Sequence, residues 1–117
     1  MIVHIVSDNL RKISQIAFGF DQEHKIITTY NELKDFSNIV ILMDEKSAKE
    51  NYSNPISLYN FTPKKDTTYV IGKNYPDTPL HQQLSEKLEY DVLYIPLKKP
   101  VPLHAEVALA IVLYNIK

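Results

Sequence analysis

A chain of 117 residues is long enough for one hydrophobic core and too short for two, and 44% apolar with 23% charged residues is the balance of an ordinary globular domain. The absence of cysteine excludes disulfides, thiolate catalysis and cysteine-bound metal. A net charge of −1 gives no global pull on nucleic acid, so any RNA site has to be a local patch, and Arg11, the only arginine, leaves little for bidentate phosphate clamps.

No run of eighteen apolar residues occurs, so no membrane-spanning helix is expected. The chain starts on a strand-like MIVHIV without a basic leader, and with the lack of cysteine this points to a cytoplasmic location. Gly19 and Gly72 are the only glycines, too few for a P-loop, a dinucleotide fingerprint or a nucleophile elbow.

In chain order, Met1 to Val6 is a β-branched run read as the first strand. Ser7-Asp8-Asn9 is an N-cap cluster, and Leu10, Ile13, Ile16 or Ala17 and Phe20 recur at helical spacing up to Gly19, where the helix is expected to stop. His24 to Thr29 predicts a second strand and Asn31 to Asp35 one helical turn. Asn38 to Met43, apolar in its interior, predicts a buried parallel strand. A short helix is expected over Asp44 to Asn51, a short strand over Ile56 to Phe61, and a turn at Pro63 to Asp66.

The last third is punctuated differently. TTYVIGK, from Thr67 to Lys73, is an apolar strand ending in glycine. A polar connection leads to DVLYIPL, Asp91 to Leu97, which ends in proline. A basic, proline-rich turn then opens the closing helix from Leu103. That helix is apolar nearly all round: Leu103, Val107, Ala110, Ile111 and Tyr114 form one face, and Ala108, Leu109, Val112 and Leu113 cover much of the rest. Such a helix is expected to be covered on two sides, the second by a partner subunit or by another helix of its own chain.

The β-α-β alternation predicts an α/β fold with a parallel sheet of about five to six strands and helices on both faces, in one domain over residues 1–117. Strand ends and a helix start lie close together in the last third, where open α/β sheets bind ligands. His4, His24 and His81 are scattered without an HxxxH spacing, so no metal site is expected.

Three segments of this last third resemble the SPOUT superfamily of RNA methyltransferases. They are Val70-Ile71-Gly72, Tyr94-Ile95-Pro96-Leu97, and the turn and helix Pro102-Leu103-His104-Ala105-Glu106-Val107-Ala108-Leu109-Ala110. The His-x-Glu-Val-Ala form looks closer to the archaeal tRNA cytidine 2′-O-methyltransferases than to the spoU branch. Asn9-Leu10, Ile13 and Ala17-Phe18-Gly19 are similar to the family's first motif.

The resemblance implies a deep trefoil knot at the C-terminus, S-adenosylmethionine held there by backbone groups, and a homodimer through the closing helix. The cofactor-binding residues it implies are Ile71, Gly72, Lys73, Ile95, Pro96, Leu97, Leu103 and His104. The implied catalytic residues are Arg11, Asn9 and His104, acting on a ribose 2′-hydroxyl of tRNA or rRNA. Lys64, Lys65, Lys73, Lys98 and Lys99 are expected to form a basic rim for RNA phosphates.

The chain departs from the pattern in two places. Gln15 or Ile16 stands where the first motif ends in arginine, and Arg11, one helical turn before Gln15, is the candidate replacement. Asn74 stands where a glutamate is common. Two other readings stay open: a SPOUT-fold module without catalysis that binds RNA or protein, and a flavodoxin-like domain whose tail resembles the family by chance.

Overall fold

A computed structural model of the chain describes residues 1–5, 10–72, 88–99 and 101–116. The Ser7-Asp8-Asn9 cap and most of the connection between Asn74 and Tyr90 lie outside the described residues. Six strands form one sheet: β1 (Ile2–Ile5), β2 (His24–Ile27), β3 (Ile39–Leu42), β4 (Ile56–Ser57), β5 (Thr68–Ile71) and β6 (Asp91–Tyr94). Its order is β2-β1-β5-β3-β6-β4, and every pair is parallel. Among the described residues the helices are α1 (Leu10–Gly19), α2 (Glu45–Asn51) and α3 (Ala105–Asn115), with 3-10 turns at Tyr30–Asp35 and Leu58–Asn60.

Burial on both faces explains the unbroken apolar runs: every residue of β1, β3 and β5 is buried. One face carries Ile2, Val40, Leu42, Tyr69, Ile71 and Leu93 against Ile13 and Ala17 of α1 and Leu109, Val112 and Leu113 of α3. The other carries Val3, Ile5, Ile27, Ile39, Ile41 and Val70 against Tyr30 and Leu33 of the first 3-10 turn. The closing helix therefore packs on its Leu109, Val112 and Leu113 side, leaving Val107 42% and Tyr114 62% exposed.

Helix α1 ends at Gly19, as expected, and Asp21 takes the left-handed conformation (φ 54°) that closes it. Asp21 N–H donates to Phe18 O and Gln22 N–H to Ala17 O, the pair of bonds of a Schellman closure. Strand β4 stops at Ser57 instead of Phe61, because the Ser57 hydroxyl accepts from Tyr59 N–H and turns the chain into a 3-10 turn. Strand β6 stops at Tyr94 instead of Leu97, where its neighbours β3 and β4 have also ended and Pro96 has no N–H to donate. No helix among the described residues is long and apolar enough to cross a membrane.

Candidate functional site

Parallel strands bring all their carboxyl ends to one edge of the sheet. There a cavity of about 870 Å³ opens outside β3, β5 and β6, within the ~300–1,000 Å³ range of small-molecule sites. Its floor is Leu42 and Met43 from β3, Ile71 and Gly72 from β5, and Ile95 and Leu97 after β6. Val101, Pro102 and Leu103 of the turn, with Ala105 and Ala108 of α3, close one side. The first turns of α2 close the other with Asp44, Glu45, Lys46, Ser47 and Glu50.

The crevice has a topological cause. The chain leaving β3 enters α2, whose C-cap Tyr52 packs on the second core. The chain leaving β6 enters α3 on the first core. Neighbouring strands whose connections depart to opposite faces leave a gap between them.

Gly72 holds the floor in shape. Its φ of 146° is one that side-chain-bearing residues rarely adopt. A Cβ there would lie 2.7 Å from Ile5 O and 2.9 Å from Ile5 Cβ. The glycine expected to admit a ligand thus first admits the end of β1. On the α2 wall, Asp44 is the N-cap, its Oδ2 accepting from Ser47 N–H at 3.1 Å. Glu45 lies 3.8 Å from Lys49, and the Lys49 ammonium sits 5.4 Å from the centroid of the Tyr94 ring.

Of the residues that the resemblance implies for cofactor binding, Ile71, Gly72, Ile95, Leu97 and Leu103 line this cavity, whereas Pro96 and His104 do not. Lys73 and Asn9 lie outside the described residues. Arg11 is exposed on the first turn of α1, and His104 is the exposed N-cap of α3. Lys12 reaches Glu106 at 3.7 Å, which brings these two helix starts side by side, but neither Arg11 nor His104 lines the cavity.

The expected basic rim does not form as one surface. Lys64 and Lys65 precede β5 at the amino edge of the sheet, where Asn38 Nδ2 donates to Lys65 O. Lys98 and Lys99 follow β6 at the carboxyl edge. A four-residue strand of about 3.3 Å per residue separates the two groups by roughly 13 Å.

Two features escape sequence reasoning. The α2 wall carries no motif, and the only signal for it is that β3 ends beside it. The second is a histidine pair: His4, fully buried on β1, stacks on His24 of β2 with ring centroids 5.7 Å apart. Ser14 Oγ of α1 lies 3.1 Å from His24 Nδ1. Burial pushes both imidazoles below their usual pKa, and for His4 the neighbouring His24 adds to the effect. Among the described residues no group of three or more histidine, aspartate or glutamate side chains is placed to hold a metal ion.

At the opposite, amino edge a smaller hollow of about 440 Å³ is lined by Asn38, Lys64, Thr67, Tyr90 and Asp91 among others. Burial, with Tyr52 close by, pushes the Tyr90 phenol up to about 12, so it offers a donor and no base at neutral pH.

The described chain is thus an α/β protein with an all-parallel six-stranded sheet and a cavity at its carboxyl edge. Comparison with protein-family models, with curated proteins and with solved structures finds no match in any of the three.

Proposed function

We propose that this protein is an S-adenosylmethionine-dependent RNA methyltransferase of the SPOUT kind, acting on a ribose 2′-hydroxyl of tRNA or rRNA. The observation that carries the reading is the cavity: residues from all three resembling segments, Ile71 and Gly72, Ile95 and Leu97, and Leu103, meet on its wall. The strand order adds support. The last two strands in sequence sit inside the sheet, β5 between β1 and β3 and β6 between β3 and β4, and α3 returns beside α1. A C-terminal knot is the form of this arrangement that the proposal takes.

The cavity suits the cofactor in kind, with an apolar floor for a nucleoside and polar groups opposite. Bound there, the cofactor supplies an electrophilic methyl group on a sulfonium. The protein's part is to fix the acceptor hydroxyl in line and to favour loss of its proton. Arg11, beside Lys12 at the paired helix starts, is the candidate for the second task. The homodimer belongs to the same proposal, supported by the outward apolar stripe of Val107 and Tyr114.

The test is calorimetric titration with S-adenosylmethionine, followed by transfer of labelled methyl to bulk tRNA and rRNA. Saturable binding with transfer supports the enzyme. No binding at millimolar ligand overturns it. The exposed position of Arg11 outside the cavity favours a second reading, a module without catalysis that binds RNA or protein. Absence of transfer, with or without cofactor binding, is its signature. Where transfer occurs, Arg11→Ala is expected to abolish it and leave cofactor affinity unchanged, and full activity in that variant would remove Arg11 as the activator.

A further inference from the structure

The two walls of the carboxyl-edge cavity differ in charge. The wall built by the strand ends, the turn and α3 carries no ionisable side chain among its described residues. Among the described lining residues the charge is on the α2 wall, where Asp44, Glu45 and Glu50 face a single Lys46, a net of −2.

These groups are not equally committed. Asp44 is held as the helix cap. Glu45 meets Lys49 only at 3.8 Å, in a pair whose lysine side chain is 56% exposed, so the interaction is weak and exchangeable. Glu50 makes no ion pair among the described residues.

Ser47 supplies an independent sign of a ligand. It is only 8% exposed and lines the cavity. Its N–H donates to Asp44 and its carbonyl accepts from Asn51, while its hydroxyl makes no hydrogen bond to the described protein. The Ser47 hydroxyl is thus left to water or to a ligand in the cavity.

We infer that the α2 wall is a charge filter: Glu45 and Glu50 favour a cationic, partly apolar ligand over its neutral counterpart, while the Ser47 hydroxyl holds both alike. Resting on the proposed function, this names the discrimination the site makes. The sulfonium cofactor is held, and its thioether product, S-adenosylhomocysteine, which has lost the sulfonium charge, is held less well. Methyl transfer then weakens the product's grip on the site by the same step that forms it.

The protein is titrated with S-adenosylmethionine and with S-adenosylhomocysteine, as wild type, Glu45→Gln/Glu50→Gln and Ser47→Ala, at low and high salt. The double variant is expected to lower the preference for the sulfonium form over the thioether about fivefold, from the loss of two carboxylate attractions at partly solvated range. High salt is expected to lower it in the wild type by screening the same attractions. Ser47→Ala is expected to weaken both ligands equally, about fivefold for one hydrogen bond. Thermal melts of the variants establish that they are folded; Glu50 is exposed, and Glu45 gives up only its weak pair with Lys49. An unchanged preference in the double variant, with both ligands still bound, overturns the charge filter and leaves the proposed function standing. Failure of the wild type to bind either ligand overturns both.

Discussion

Gly72→Ala tests whether the carboxyl-edge cavity is built on a close approach of two strands. The added Cβ would meet Ile5 O at 2.7 Å, Ile5 Cβ at 2.9 Å and Ile5 N at 3.2 Å, mostly backbone atoms with no rotamer in which to retreat. Strand β1 cannot slide away, because it is paired to β5 through Ile2–Tyr69, Val3–Val70 and His4–Ile71 and to β2 on its other side. The φ of 146° adds about 1–3 kcal/mol of backbone strain for alanine, and forcing a methyl into a packed site adds about 1–3 kcal/mol more. A loss of roughly 3–4 kcal/mol is a large part of the ~5–15 kcal/mol typical of a domain. It corresponds to roughly 10–20 °C in melting temperature. Urea denaturation followed by circular dichroism measures it. Gly19→Ala is the matched control: no atom lies within 4 Å of its Cβ position and it ends a helix, so it is expected to be neutral or to stabilise by up to about 1 kcal/mol. Equal effects of the two substitutions, or a Gly72→Ala loss below about 0.5 kcal/mol, would refute the reasoning.

Two further outcomes follow from the same fold. His4 and His24 both have folded-state pKa values lowered by burial, so the unfolded chain binds more protons below about pH 6.5. Their contribution is complete above that value and is lost as pH falls through the lower folded values; the melting temperature is expected to drop between about pH 7 and about pH 5, less steeply in His24→Phe, and equal slopes in the two proteins would count against the stacked pair as its source. If α3 forms the proposed dimer, light scattering should return twice the 13.5 kDa of the chain, and Val107→Asp/Tyr114→Asp should return the single mass while keeping the fold, because both residues point away from the core. A wild-type monomer would remove that interface.

Much of the secondary structure was legible in the sequence because it follows from local pattern. Apolar runs such as Ile39–Leu42 announce strands buried on both faces, and the spacing of Leu10, Ile13 and Ala17 announces α1. The cavity was partly legible too, since glycine and proline mark where β5 and β6 release the chain. The end of β4 was missed because a single side chain, Ser57, decided it.

What the tertiary structure alone decided is adjacency. Period and propensity say which face of a strand is apolar but not which strand lies beside it. The insertion of β5 between β1 and β3, and of β6 between β3 and β4, depends on which crossovers can pack right-handed against both faces of one sheet. From that order came the stacking of His4 on His24, the crowding of Gly72 by Ile5, the charged α2 wall across from the motif residues, and the division of the lysines between opposite edges. Each joins residues distant in sequence, and such contacts are selected by the packing of the whole core rather than by any segment within it.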